Sequence, residues 1–532
     1  MKSNATYVSY EQTGKFTSLI CDYLNKKPDV APFFNHFPDV EGVQKTIRER
    51  QQFPTDRNLI ANVFDASYLN AGATESQLKH IQLLRNENCF TVCTAHQPNI
   101  FTGYLYFIYK TAHTIVLCNT LKAALPEFDF VPVFYIGSED NDLDELSRFR
   151  MHGKLYKWHT DQTGAVGRMH VDPQLSELIK QIESELAHLP HASELIDLLK
   201  RAYAPNTDLA HGIFSLLNSL FGEQGLLVLQ PDHADLKSVM TSVFKDDLLQ
   251  HIPQSVVSET NEALGKQYGL QVNPRQVNLF YLRDGIRNRI DRRGNTFSVD
   301  GTVIRFSESE ILEELNSHPE RFSPNVILRG LYQETILPNI AFVGGGSEVA
   351  YWMQLKALFS HYKVPYPLLV LRNSFMIMNS KQEHKLNELD IDPADLFKDE
   401  TALANEMVVK WAGANITLEK EMHMGRQYFA HLREQAGAVD KSLQQHVHAL
   451  EVDLLKKIET LEKKMLKAER KKQAIQLQRI WKLKSELFPN NNLQERVDNF
   501  MPYFAEYGQA FIDVILKHSR SLEQEFGVIV VG

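Results

Sequence analysis

The chain has 532 residues, 43% of them apolar and 23% charged. These are ordinary globular values that exclude wholesale disorder and suit roughly two to four domains. A net charge of −9 excludes a nucleic-acid coat or a polybasic membrane binder for the chain as a whole. Four cysteines (Cys21, Cys89, Cys93 and Cys118) are too few for a disulfide scaffold. No C-x-x-C knuckle is present, so a reducing compartment is the expectation. The amino-terminal stretch lacks a signal-like apolar core, and no apolar run approaches the ~20 residues of a membrane helix. These features predict a cytoplasmic protein with no membrane partner.

Five apolar runs end abruptly in polar or glycine-rich turns: Cys89–Thr94, Phe130–Ile136, Leu226–Leu229, Ala341–Val343 and Leu368–Leu371. Unbroken apolar strands are buried on both faces, as in a parallel sheet covered by helices. Helical patterns lie between several of them. One runs from about Gly103 to Leu125, with Thr102 as its expected cap, and another covers Glu348–Phe359. This alternation predicts a doubly wound, Rossmann-like α/β core. Residues 151–224 read as a mostly helical insertion. Residues 272–306 read as a small antiparallel insertion, with Asp284-Gly285 and Arg293-Gly294-Asn295 as hairpin turns. From Leu418 to Ala468 apolar residues keep heptad-like steps, which predicts a coiled coil or long helical hairpin. The chain closes with helical patterns at Leu493–Phe504 and Gln509–Glu525. A final apolar run, Val528–Val531, is expected as an edge strand of the main sheet. The division predicted is core over 1–150, helical insertion over 151–224, core over 225–271, β insertion over 272–306 and core over 307–385. The coiled coil then covers 386–490, and the terminal helices return to the core over 491–532.

Three turns after predicted strands could carry chemistry. Thr94-Ala-His-Gln-Pro-Asn-Ile-Phe-Thr-Gly103 joins a strand to a helix, where helix amides favour an anion and where His96 and Gln97 would face the ligand crevice. Glu139-Asp-Asn-Asp-Leu-Asp-Glu145 puts carboxylates beside a buried strand end. It resembles a calcium loop only in its first residues, because Glu145 replaces the turn glycine and Met151 the closing glutamate. Gly344-Gly-Gly-Ser-Glu348 opens a helix but is neither a Walker A loop nor a dinucleotide fingerprint. Arg372, Asn373 and Ser374 follow the last core strand, and a planar guanidinium there suits a carboxylate or a phosphate. The alternative for Arg372 is a salt bridge to the acidic turn. Residues 456–484 carry eleven Lys/Arg against three Glu, most simply a solvated coiled-coil face.

Taken in order, certain segments resemble one family. They are Thr94–Lys110, Pro132–Glu145, Phe322–Arg329, Gln333–Pro338, Phe342–Trp352, Leu493–Arg496 and the Tyr507-Gly508 pair. Together they resemble the BshC family, cysteine-adding enzymes of bacillithiol biosynthesis. The resemblance implies a core like that of class I aminoacyl-tRNA synthetases, with two connecting insertions and a coiled coil that pairs two subunits into a homodimer. It implies a ligase that joins cysteine to glucosaminyl malate through an amide bond, with ATP or ADP as the expected cofactor and the need for a metal left open. The family's first turn carries Gly-Gln-Gln where this chain has Ala95-His96-Gln97. Its glycine turn is Gly-Pro-Gly-like where this chain has Gly345-Gly346-Ser347. On this reading His96, Glu139 and Asp140 are the candidate catalytic groups. Thr94, Gln97, Thr102, Gly103, Asp142, Gly344, Gly345, Gly346, Glu348, Tyr351, Arg372 and Ser374 are the candidate substrate- or nucleotide-binding residues, and none is a metal ligand. The alternative is a synthetase-like protein that binds tRNA or other nucleic acid through the basic coiled coil, the less favoured partner.

Overall fold

The structure is a computed structural model that describes residues 2–69, 71–412 and 416–532. It divides into two compact units, one of Met1–Glu11, Lys15–Ile377 and Asn492–Gly532, the other of Gln12–Gly14 and Met378–Asn491.

The first unit is built on a five-stranded sheet. Its strands lie in the order Leu368–Leu371, Asn339–Gly344, Cys89–His96, Asp129–Ile136 and Leu227–Leu229. All four pairings are parallel. Nearly every residue of these strands is buried, as expected when helices cover both faces. The sheet's core includes Phe90, Val92, Leu117, Leu121, Ile340, Val343, Leu368 and Val370. Polar threads hold the central pair together: Thr94 Oγ1 donates to the Val343 carbonyl at 2.7 Å, and Thr91 Oγ1 to Asn339 Oδ1 at 3.1 Å. Chain order runs outward in both directions from Cys89–His96. The switch point, where such sheets bind ligands, therefore falls between the carboxyl ends of that strand and Asn339–Gly344.

The connecting segments add structure of two kinds. The helices Pro173–Leu186, Ala192–Ala202 and Leu209–Phe221 stand where helical periodicity places them. A two-stranded hairpin, Arg148–Met151 with Lys154–Lys157, precedes them; its four-residue strands are too short for alternation to stand out. The predicted antiparallel insertion is present as Leu279–Arg283, Ile286–Arg293, Thr296–Val299 and Arg305–Ser307, with Phe322–Pro324 as a fifth strand.

Two expectations need correction. Val528–Val531 does not join the main sheet. The strand Glu525–Val531 is the centre of a separate sheet, between Ser3–Ser9 and Ser374–Asn379. The partner Ser3–Ser9 alternates half-buried and exposed residues without a strongly apolar face, so it gives little signal. Thr102 does not cap the following helix, which spans Tyr106–Ala124. Phe101 and Thr102 instead adopt left-handed φ angles of 49° and 66°, costly for side-chain-bearing residues. Asn499 Nδ2 holds the bend by donating to the carbonyls of Phe101 (2.9 Å) and Gly103 (2.7 Å).

The second unit contains the helical hairpin. Glu419–Val439 and Leu443–Lys472 pack antiparallel. Arg433 pairs with Glu451, the Leu418 amide donates to Glu462, and Gly425 lies beside Leu454 and Leu455. Neither helix has a fully buried residue.

His113 carries a pH-dependent part of the first unit's stability. It is fully buried, with Nε2 2.6 Å from the Ser521 carbonyl and Nδ1 3.0 Å from the Asn373 amide. The first nitrogen must donate and the second accept, so the ring is neutral. Burial lowers its pKa from 6.5 to about 4. The unfolded chain binds more protons between those values, so this contribution is complete above pH 6.5 and is lost as pH falls towards 4, by roughly 3 kcal/mol. Thermal melts from pH 7 to 4.5 should show a shallower acid decline for His113→Asn than for wild type. Equal slopes would exclude the assignment.

Candidate functional site

All five core strands deliver a residue from their carboxyl ends to one cavity of about 630 Å³. Gln97, Gly137 to Asp140, Pro231, Gly345 and Arg372 mark the five arrivals. That volume suits a small-molecule ligand. Two further cavities, of about 580 and 880 Å³, receive none of these strand ends.

Of the candidate residues, His96, Gln97, Glu139, Asp140, Gly345, Gly346, Glu348, Tyr351 and Arg372 line this cavity. The others stand behind or beside it. Thr94 is consumed by its bond to Val343. Thr102 and Gly103 form the left-handed bend, where Gly103 has φ +66° and a Cβ would meet Asn99 at 3.0 Å. Gly344 is a packing glycine, because a Cβ there would approach the Phe342 ring to 2.7 Å. Asp142 caps the short helix Leu143–Leu146 by accepting from the Glu145 amide. Ser374 is buried and 3.2 Å from both Arg372 Nη1 and Glu495 Oε1.

His96 faces the cavity with its ring edge-on to Tyr106 and Phe107. Burial, with the cations Lys110, Arg372 and Arg329 nearby, holds its pKa well below 6.5. The imidazole is therefore neutral at physiological pH, able to donate or accept a hydrogen bond but not to supply positive charge. Gln97 Nε2 donates to Asp140 Oδ2 at 2.8 Å, tying the first turn to the acidic one. Glu139 forms a buried ion pair with Lys237, which also reaches Asp232 at 3.1 Å. Burial pushes the Glu139 carboxyl up while the Lys237 ammonium opposes it. Burial acts the same way on Asp232, but Lys237 and Arg168 outweigh it and hold that group low.

At the glycine turn, Glu348 Oε2 accepts from the Gly345 amide (2.8 Å) and from Lys110 Nζ (2.7 Å). Lys110 is fully buried and also donates to the Ala95 carbonyl at 2.6 Å. One ammonium thus links the first turn to the glycine turn across the switch point. The helix Gly346–Tyr362 opens here, and the first residues of its amino terminus line the cavity.

Arg372 departs from both expectations. Its two terminal nitrogens grip the Glu495 carboxylate at 2.9 and 2.8 Å. Glu495 is wholly buried, so the partner is neither a ligand nor the acidic turn. Sequence reasoning also passed over Lys15, Phe16, Tyr106, Arg287, Arg329 and Arg496, all of which line the cavity. Arg329 and Arg496 fall within segments quoted for the resemblance, which is the signal that could have selected them. Lys15 and Arg287 have no local pattern that would.

A buried ion pair is costly to break because the remaining charge is left without a partner. Glu495→Gln should lower unfolding free energy in urea by about 3–5 kcal/mol, whereas replacing both partners, Arg372→Met with Glu495→Leu, should cost less. A double variant weaker than the single one would show that the pair itself contributes net stability.

Comparison with known proteins agrees with this architecture. Residues 3–373 match the model of the "Bacillithiol biosynthesis BshC, N-terminal Rossmann-like domain", and residues 375–531 that of the "C-terminal coiled-coil domain". A protein of Flavobacterium johnsoniae named "Putative cysteine ligase BshC" is 39% identical over 98% of this chain and 99% of its own. One of the same name from Christiangramia forsetii is 37% identical over 99% of both chains. A solved structure titled as a putative arginyl-tRNA synthetase from Campylobacter jejuni shares 9% identity, covering 88% of this chain and 97% of its own. Its TM-score is 0.22, and that likeness carries no argument. A Rossmann-like unit and a coiled-coil unit matched over nearly the whole length, with relatives of that identity, mean that this chain belongs to the BshC family of bacillithiol biosynthesis.

Proposed function

We propose that the chain is a carbon–nitrogen ligase that joins the carboxylate of cysteine to the amine of glucosaminyl malate with nucleotide activation. The observation that carries this reading is the convergence in one cavity of an anion-suited helix start at Gly345–Ser347 and a carboxylate cluster at Glu139, Asp140 and Glu145. The first suits phosphate oxygens; the second suits an ammonium. Nucleotide, when bound, supplies the group that turns a carboxylate into an acylating agent. The protein's own part is to bring the two substrates together and manage one proton. Asp140, steadied by Gln97, orients the amine. Glu139, whose affinity for a proton is raised by burial, takes the proton the amine must lose before it attacks. Neutral His96 hydrogen-bonds the carbonyl or phosphate oxygen as charge develops on it. On this reading 151–224 and 272–306 are insertions that wall the core.

Incubating the purified protein with glucosaminyl malate, cysteine and ATP should yield bacillithiol, detected by mass. Product only when cell extract replaces ATP would overturn ATP as the activating cosubstrate. No product in either mixture would overturn the ligase.

The coiled-coil unit is proposed to pair two subunits. Leu450 and Leu461 on the second hairpin helix are 47% and 52% exposed, whereas Leu454 packs against Gly425 within the hairpin. Burying the exposed half of each leucine contributes about 0.7–1.5 kcal/mol, half of the full-burial value. Light scattering should therefore give twice 61.1 kDa for wild type and a monomer for Leu450→Asp with Leu461→Asp. A wild-type monomer, or a double variant that stays dimeric, would refute this interface.

A further inference from the structure

The cations around the cavity are not equivalent. Arg372 is neutralised by Glu495, Lys110 by Glu348 and Lys237 by Glu139 and Asp232. Arg287 has no carboxylate partner among the described residues, yet each of its three nitrogens donates to a protein oxygen, on Ser323, Asn141 and Pro324. Arg329 differs from all of these. It makes no ion pair among the described residues. Among those residues its nitrogens donate only to two neutral groups, Tyr351 Oη at 2.8 Å and Gln333 Oε1 at 3.2 Å. A guanidinium has five N–H donors, so three remain without an acceptor, including the one on Nε. Its plane is steadied over the Tyr135 ring, 5.5 Å from the centroid, and both residues line the cavity. The nearby carboxylate, Glu348, is already shared between Lys110 and the Gly345 amide.

A cation held rigid in a cleft without a counter-charge is costly unless a ligand supplies one. We infer that Arg329, with the Tyr351 hydroxyl beside it, is the oxyanion subsite of the cavity and grips a planar carboxylate or a phosphate through its unused donors. The fork geometry favours two oxygens at once. The role that sequence alone gives to Arg372 thus passes to a residue on the helix Val326–Ile336, because Glu495 has already claimed Arg372. Assigning the anion to an acidic substrate or to nucleotide rests on the ligase reading above; the subsite itself does not.

The test is direct binding by calorimetry, with malate and inorganic phosphate as separate probes, on wild type and Arg329→Gln. Wild type should bind at least one probe, and the variant should lose tenfold or more in affinity for it. Loss confined to malate assigns a substrate carboxylate, and loss confined to phosphate assigns the nucleotide. Arg329→Lys should recover only part, since an ammonium lacks the fork. Should the Gln variant not fold, phenylglyoxal labelling of wild type supplies the second reading: malate or phosphate should protect Arg329 and leave the exposed Arg305 reactive. Failure of wild type to bind either probe, affinity within twofold in Arg329→Gln, or unprotected Arg329 would overturn the subsite. The bacillithiol assay separates the two claims. Lost oxyanion binding without any product in wild type keeps the subsite and removes the ligase. Product with unchanged KM values in Arg329→Gln does the reverse.

Discussion

The Arg372–Glu495 pair fixes the geometry on which the cavity depends. Arg372 leaves the last core strand pointing into the protein, and its carboxylate partner comes from a segment 123 residues later. Around this pair, Tyr10 donates to the Arg372 carbonyl, and Gln494 exchanges hydrogen bonds with the backbone of Ile377. Three distant stretches of chain are thereby closed over one edge of the sheet. Lys15, Phe16 and Arg496 reach the cavity because that closure brings their segments there. The parallel sheet supplies the strand ends, but the amino- and carboxyl-terminal segments supply a wall that a five-stranded sheet alone would lack.

A second consequence is electrostatic. Several charges near the cavity are used within the protein: Lys110 on Glu348, Lys237 on Glu139 and Asp232, and Arg372 on Glu495. These pairs hold turns from different strands at fixed separations. Besides the ion-paired Glu139, which still lines the cavity, the groups left to face a ligand are a smaller set, chiefly neutral His96, the carboxylates of Asp140 and Glu145, and Arg329. Rigid, pre-oriented polar groups of this kind stabilise developing charge without having to reorganise.

The core was legible because buried parallel strands leave unbroken apolar runs, and each of the five was readable to within about two residues. The long helices and the antiparallel insertion were legible for similar reasons, through periodicity and glycine-containing turns. The strand Ser3–Ser9 was not, since its partner lies at the opposite end of the chain and its own residues are mostly polar. The site was half legible. Nine candidates, most of them chosen for their place after a strand end, line the cavity, but Thr94, Gly344 and Ser374, equally near strand ends, turn inward to hold the backbone or pack. Nothing local distinguishes these cases, because pairings such as Arg372 with Glu495 depend on residues more than a hundred positions apart. Arg329 was missed for the converse reason: its significance lies in the counter-charge it does not have.

The distance along the chain between Arg372 and Glu495 also has a temporal meaning. At ordinary translation rates of about 5–20 residues per second, the carboxylate is synthesised roughly 6–25 s after the arginine it neutralises. During that interval the core strands are already made, yet the edge that Arg372 occupies has no counter-charge to bury. The edge that Arg372 occupies therefore lacks its partner until the segment carrying Glu495 emerges. The wall of the ligand cavity that carries Arg496 is thus added only once that segment exists, and not when the sheet first forms.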